Sequence, residues 1–292
     1  MKFPVPFLQP LFALIMSRLR SPKVAKLYEQ IGGGSPLLEI TAKQARALEK
    51  ELRRSIHCRV FLGMRYTQPS ISLALKEIHS YSPKQLIALP LYPQYSTATT
   101  LSSFMMLRKV LDKVKSSLSV IEIKDWYDFS DYIKTLSLLI QEKLDTYPDK
   151  DKVHLVFSAH GLPMSLIEKG DPYADQINIS VDSILKELSI PNPYHICYQS
   201  KVGPIKWLDP STENTIKEIA NETNQDILMI PISFVSDHFE TDYEIDILYA
   251  GQAKDLNIRH FKRTDSLNTH PLFIKALANL VLQHIGGDHL EG

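Results

Sequence analysis

Cysteine is almost absent: Cys58 and Cys197 are the only two in 292 residues, and both sit inside apolar runs. No CxxC pair, zinc ribbon or cluster-like group can be assembled from them, so free buried thiols in a reducing compartment are expected. Net charge is absent too. The 33 basic and 33 acidic residues cancel, which leaves no basic footprint for nucleic acid. No apolar run reaches the ~18 residues that a membrane-spanning helix needs. The N-terminal stretch FPVPFLQPLFALIM, Phe3 to Met16, is apolar but carries Pro4, Pro6 and Pro10 and lacks a small-residue cleavage site. It therefore reads as no secretory leader. It reads either as an apolar lip that touches a membrane or a greasy substrate, or as a first helix packed on the core. Neither GxxxxGK nor GxGxxG occurs. The glycines of IGGGSP, Ile31 to Pro36, permit positive φ but do not make a phosphate loop.

What is present is an ordinary globular composition, 44% hydrophobic and 23% charged, long enough for two domains of ~150 residues. Apolar runs alternate with helical patterns. Strands are expected at Cys58–Gly63, Leu86–Leu91, Val120–Ile123, Val153–Phe157, Tyr194–Tyr198, Ile227–Val235 and Asn257–Phe261. Helices are expected from Thr41, up to His79, from Ser130, over Pro172–Leu188, from Thr212 and over Pro271–His284. This βα grammar predicts parallel sheets flanked by helices. The halves match each other: Pro90 and Pro231 interrupt corresponding strands, and Ile133, Lys134 and Leu136 correspond to Ile274, Lys275 and Leu277. Two similar α/β domains facing one another are expected. The strand that ends at His160 has no counterpart in the first half, as though that half lacks its opening strand.

The chain is organised around Asp226–Asp246, DILMIPISFVSDHFETDYEID. A doubly buried strand ends abruptly in polar residues, and the C-terminal edge of a parallel sheet is where ligands bind. Ser236 or Asp237 can cap the following helix, and acidic residues suit its first turn. Glu240 and Glu244 are four apart and share a helix face. Alone they are better explained as a solvated face, and His238 as a capping or packing residue. His160 ends a second buried strand, just before Gly161. A hydrogen-bonded structural histidine and a functional one are equally good readings of it by itself. Together, His160 and Glu240 come from adjacent strand ends and can meet. One imidazole with carboxylates is an incomplete ligand set, suited to a divalent ion held briefly with open positions. Arg20, Lys23 and Arg65 can clamp carboxylates or simply be surface charge. Tyr28, Tyr66, Tyr92, Tyr95, Trp207 and Phe234 can line an aromatic pocket or pack the core.

Five motifs in order, IGGGSPL, YPQYSTATT, FSAHGLP, CYQSKVGPIKWL and SDHFETDYEID, resemble ferrochelatase. The likeness spans Phe3 to Ile285, and its QSKVGP form is similar to the protoporphyrin-using branch. It implies two Rossmann-like domains with a porphyrin cleft between them. The halves would be residues 1–128, joined by a C-terminal helix over 271–292, and residues 129–270. It implies a haem-biosynthesis lyase that inserts Fe²⁺ into protoporphyrin IX. His160 would bind metal or accept a pyrrole proton, Glu240 would be the partner carboxylate, and Glu244, Asp237 and His238 would form an acidic proton or ion path. Arg20, Lys23, Tyr28 and Ser35 would line the pocket and handle propionates; Arg65, Tyr66, Tyr92, Trp207 and Phe234 would wall the macrocycle. Fe²⁺ is then a substrate, no permanent cofactor is expected, and the cysteine extension that carries an iron–sulfur cluster in some members is missing. The expected location is cytoplasmic, with peripheral membrane contact through the N-terminal lip. The family's opening strand and NLGGP-like turn are also missing. That leaves coproporphyrin or other tetrapyrrole chelation, or non-catalytic porphyrin binding, as alternatives.

Overall fold

The computed structural model describes residues 24–222 and 226–287. Arg20, Lys23 and the apolar lip lie outside the described residues. In chain order, the elements up to residue 144 are α1 (Leu37–Leu52), α2 (Ile71–Tyr81), β1 (Gln85–Ala88), α3 (Ser102–Lys113), β2 (Ser119–Glu122) and α4 (Ser130–Leu144). They are followed by β3 (His154–His160), α5 (Tyr173–Leu188), β4 (Tyr194–Gln199), α6 (Thr212–Ile219), β5 (Asp226–Pro231), α7 (Glu240–Tyr249), α8 (Ala250–Asp255), β6 (His260–Arg263) and α9 (Pro271–Gly287).

All the sheet pairings are parallel. β1 pairs with β2, and the second sheet runs β4-β3-β5-β6. Every residue of β5 is buried, as are the first six of β3, which is why both read as nearly unbroken apolar runs. In register, His160 stands opposite Gln199, and Ser158 opposite Pro231. The C-terminal ends of β3, β4 and β5 therefore arrive together.

Three expected strands are shortened or lost, and the one expected over Ile227–Val235 ends at Pro231, whose ring leaves no N–H for the ladder. β1 stops at Ala88 because Pro90 and Pro93 follow and cannot donate to a ladder. Residues 57–63 form no ladder; no described strand lies beside them to supply one. Cys58 is consequently only partly buried, a correction to its expected burial, whereas Cys197 is buried; both thiols are free.

The internal repeat is structural. β2 begins at Ser119 and β6 at His260; α4 begins at Ser130 and α9 at Pro271. Each pair is 141 residues apart. Single hydrogen bonds recur at the same offset: Ile123 N–H donates to Ala88 O as Thr264 N–H does to Met229 O, and Ile133 to Phe129 as Ile274 to His270. Ser70 and Ser211 cap α2 and α6 in the same way, each accepting at 3.3 Å from the amide three residues on. At this offset the counterpart of β3 falls on residues 13–19, outside the described residues.

One core joins the halves. Leu48 and Leu52 of α1, Ile140 of α4, Phe157 of β3, Ile177 of α5 and Phe273 and Leu277 of α9 belong to a single buried cluster. Trp126 packs edge-on against Tyr132 at 5.0 Å, and its indole N–H donates to Pro90 O. A polar junction reinforces this. Asp171, buried in the second half, accepts from Ser96 Oγ at 3.0 Å, Thr97 N at 2.8 Å and Thr97 Oγ1 at 2.7 Å, while its other oxygen accepts from Tyr173 N. Asp171→Ala strands these donors and is expected to destabilise the protein by about 3 kcal/mol, since hydrogen bonds to a buried charge are individually strong. A denaturant midpoint unchanged by the substitution would show that the junction lies elsewhere.

Candidate active site

His160 is delivered by β3. Its backbone N–H donates to Ser233 Oγ at 2.9 Å, which fixes the strand end against the chain leaving β5. Gly161 follows because nothing larger fits. Its N–H donates to Gln199 O at 2.8 Å, and a Cβ there would sit 2.7 Å from that oxygen and 3.6 Å from Trp207 Cε3. Glycine is required here by the close approach of two strand ends and not by a left-handed backbone.

After Pro231 the chain crosses to α7, a helix with i→i+5 hydrogen bonds over Glu240–Tyr249. Such helices are rare and concentrate at functional sites. The expected cap at Ser236 or Asp237 does not form; Phe239 precedes the helix without a side-chain cap. Tertiary partners take both residues instead. Gln44 of α1 donates to Ser236 Oγ at 2.9 Å. Asp237 accepts from Arg263 Nη1 at 2.9 Å, Ser266 Oγ at 2.6 Å and Asn268 Nδ2 at 2.6 Å.

The centre of the site is a short chain of ionisable groups. His160 Nδ1–H donates to Glu240 Oε2 at 2.8 Å. Ser200 Oγ lies 2.8 Å from the same oxygen and 2.6 Å from Glu244 Oε2. Gln199 Nε2 donates to Glu244 Oε2 at 3.0 Å and to Glu240 O at 3.1 Å. A serine has one hydroxyl proton and so donates to one carboxylate at a time. Both Ser200 contacts are satisfied together when Glu244 is protonated and donates to Ser200, which in turn donates to Glu240.

The electrostatics point the same way. Burial raises the Glu240 carboxyl, but the hydrogen bond and charge of His160 outweigh it and hold Glu240 below the usual carboxylate value. Burial pulls His160 down, yet the hydrogen bond and charge of Glu240, with the charge of Glu244, leave it raised. Glu244 is pushed up by burial and by Glu240, against the lowering bonds from Ser200 and Gln199. Two neighbouring carboxylates are thus split, one ionised and one inclined to hold a proton.

His238 lies beside this chain, with Nε2 4.0 Å from Glu240 Oε1. Its Nδ1–H donates to Ser236 O at 3.0 Å, and burial lowers its pKa despite the surrounding carboxylates. Asp237 stands apart from the His160–Glu240 chain. Burial raises it, but Ser266, Asn268 and Arg263 hold it below the usual carboxylate value. Phe234 packs on His238 at 4.5 Å and edge-on toward His160 at 6.4 Å. Trp207 pairs by a β-bridge with Pro163, two residues beyond Gly161.

The other candidates lie further out. Tyr28 packs on Phe239 at 4.9 Å, and Phe239 stacks on Tyr243 at 5.0 Å. Arg65 donates to Ser102 Oγ and lies 4.7 Å over the Tyr66 ring, which is largely exposed. Tyr92 is part-exposed, and Ser35 accepts from Leu37 N at 3.3 Å. Among the described residues, none of Ser35, Arg65, Tyr66 and Tyr92 hydrogen-bonds to His160, Glu240 or Glu244. Sequence reasoning missed Gln199, Ser200, Phe239 and Tyr243. Gln199 ends β4 and Ser200 follows it, so the strand-end rule applied to β4 would have found them.

The architecture and this site define a chelatase-like protein. It superposes on SirB from Bacillus subtilis, solved with Fe³⁺, with a TM-score of 0.61 and 11% identity over 82% of this chain and 88% of that one. It also superposes on CbiX, the terminal enzyme of sirohaem biosynthesis in denitrifying bacteria, with a TM-score of 0.53 and 12% identity over 86% and 94%. These likenesses concern the fold. A family model described as ferrochelatase matches residues 1–285. The ferrochelatase of Geotalea uraniireducens is 46% identical over 282 residues, 97% of this chain and 88% of the relative. That of Gloeothece citriformis is 46% identical over 289 residues, 97% of this chain and 74% of the relative. The chain belongs to the ferrochelatase family, whose role is metal insertion into porphyrin. Among the described residues no helix is long and apolar enough to cross a membrane.

Proposed function

We propose that this protein inserts Fe²⁺ into protoporphyrin IX, with His160, Glu240 and Glu244 as the working groups. The observation that carries the reading is the continuous chain His160–Glu240–Ser200–Glu244, with spacings of 2.6–2.8 Å, at the C-terminal ends of β3 and β4. Metal insertion breaks two pyrrole N–H bonds, forms four metal–nitrogen bonds and strips water from the ion, so a base and an anionic metal donor are both needed.

His160 supplies the base. Its Nδ1–H is held by Glu240, which leaves Nε2 as the lone-pair nitrogen and fixes the tautomer. A positioned base of this kind contributes ~10²–10⁴-fold. Glu240 is the ionised carboxylate and the donor for the incoming ion. Glu244, with its raised pKa, passes protons onward through Ser200. His238 completes the polar wall, while Asp237 acts through Arg263 to hold the loop before α7. Phe234 and Trp207 sit beside His160 as apolar support for a flat ring; Tyr28, Ser35, Arg65, Tyr66 and Tyr92 form the outer pocket, with Arg20 and Lys23 reaching propionates. A ring distorted to expose its nitrogens costs ~1–5 kcal/mol, supplied by binding elsewhere on the ring. We place the enzyme in the cytoplasm, in peripheral contact with the membrane through the N-terminal lip, with residues 1–128 and 129–270 as its two halves.

The test is anaerobic metalation of protoporphyrin IX and of coproporphyrin by the purified protein, with Fe²⁺ supplied, followed by the change in porphyrin absorption. Faster turnover of protoporphyrin is expected. Tight porphyrin binding with no metalation of either ring would sink the enzymatic reading, and preference for coproporphyrin would reassign the substrate.

A further inference from the structure

The opposite edge of the same sheet carries a second cluster that the insertion chemistry does not use. His154 opens β3, His195 is the second residue of β4, and Glu222 follows α6 just before β5. His154 Nδ1 lies 3.0 Å from His195 Nε2, and their rings are stacked at 5.3 Å. His154 Nε2 lies 3.6 Å from Glu222 Oε2. Taking one ligand atom from each residue, all three atoms fall within 4.8 Å of one another. His160 stands six residues along the strand from His154, about 20 Å away at ~3.3 Å per residue, so the two clusters are separate.

We propose that His154, His195 and Glu222 form a binding site for a borderline divalent transition ion of the Zn²⁺ or Co²⁺ type, which clasps the N-terminal ends of β3, β4 and β5. Two imidazoles and one carboxylate are a three-residue set that leaves the fourth tetrahedral position to water. Ligand atoms around such an ion, bonded at ~2.0–2.1 Å, are spaced about 3.3 Å apart. The two histidines already meet that spacing to within a few tenths of an ångström. Glu222 is the member that must close, and its side chain, 51% exposed, leaves the ion a path from solvent. His154 is the fixed member, its side chain 3% exposed. Imidazole with a carboxylate favours these ions over Mg²⁺ or Ca²⁺, which prefer oxygen ligands alone. An ion held by the folded chain and not by the unfolded one would raise the unfolding temperature in proportion to its occupancy.

The test is titration of the purified protein with Co²⁺, read by its visible ligand-field bands, with Zn²⁺ as competitor. The wild type is compared with three variants, His195→Ala, Glu222→Gln and His160→Ala. The four-coordinate spectrum should appear in the wild type and persist in His160→Ala. It should be lost in His195→Ala and weakened in Glu222→Gln, with affinity falling by more than the ~10–100-fold that loss of an outer hydrogen-bond partner costs. Glu222 is on the surface, so its substitution reports binding even if His195→Ala disturbs folding. Porphyrin metalation should be unchanged in His195→Ala, which separates this site from the insertion site. No four-coordinate spectrum in the wild type, a spectrum indifferent to both His195→Ala and Glu222→Gln, or one lost only in His160→Ala would each overturn the proposal.

Discussion

Replacing His160 by Ala is expected to lower the rate of metal insertion by ~10²–10⁴-fold, the usual contribution of a positioned base, while porphyrin affinity stays nearly unchanged. The reason is geometric. The imidazole is the only member of the chain His160–Glu240–Ser200–Glu244 that is both hydrogen-bonded to a carboxylate and carried on a buried strand. Its ring edge toward Phe234 and its partly open side chain give it access to a ligand, whereas its backbone is pinned by Ser233. The substitution removes a proton acceptor and leaves the sheet intact, because the strand's register depends on backbone pairing with β4 and β5. Stopped-flow metalation paired with porphyrin fluorescence quenching measures the two quantities separately. A variant that turns over at the wild-type rate would remove His160 from the mechanism; a variant that loses porphyrin binding as well would make it a pocket wall.

Replacing Glu240 by Gln should move the titration of His160. In the metal-free protein, burial alone would carry the imidazole below its ordinary 6.5, and Glu240 is the main influence that reverses this. Glutamine keeps the shape and a hydrogen-bond acceptor but loses the charge, so the His160 midpoint should fall, which the imidazole proton resonances would report. A neutral His160 is the form that takes a pyrrole proton. The insertion rate of the wild type should therefore rise as pH passes through the raised His160 value, and the rising limb should shift to lower pH in the variant, on top of a lower maximum from the missing anionic donor. Stability responds as well. The share due to His160 is complete below 6.5 and is lost as pH rises through its raised native value. The share due to Glu240 is complete above 4.5 and is lost as pH falls through its lowered native value. Wild type and variant should differ most between those two native values and converge outside them. A difference in denaturant midpoint that does not vary with pH would show that the pair is not coupled as described.

The doubly buried strands were legible because their cause is local: a strand covered on both faces is apolar along nearly all its length, as LVFSA and ILMIP are apart from Ser158. The repeat was legible as a handful of identities and proved to extend to individual hydrogen bonds. Residues 57–63 were misread for a reason no local pattern can reveal, since a ladder needs a neighbour. At the site, His160 and Glu240 were found by asking what stands where buried strands end. Ser200 escaped because a small hydroxyl in a loop carries no periodicity. Its role comes from an uncommon backbone conformation, φ 65°, that turns it between two carboxylates contributed by α7. Asp237 was grouped with the acidic path by the family resemblance, and only Arg263, 26 residues later, reveals that its charge is already matched.

The repeat also carries a consequence for the direction of the chemistry. At the offset of 141 residues, Ser96 and Thr97 stand where Asp237 and His238 stand, and Thr99 and Ser103 where Glu240 and Glu244 stand. The same scaffold was furnished twice, once with neutral hydroxyls and once with acids and an imidazole. In the first copy Ser96 and Thr97 give their hydroxyls to the carboxylate of Asp171, whereas the second copy supplies Glu240 to His160 and Glu244 to Ser200. On the proposed reading, duplication followed by divergence of side chains, not of backbone, is what assigns ion and proton handling to the second copy.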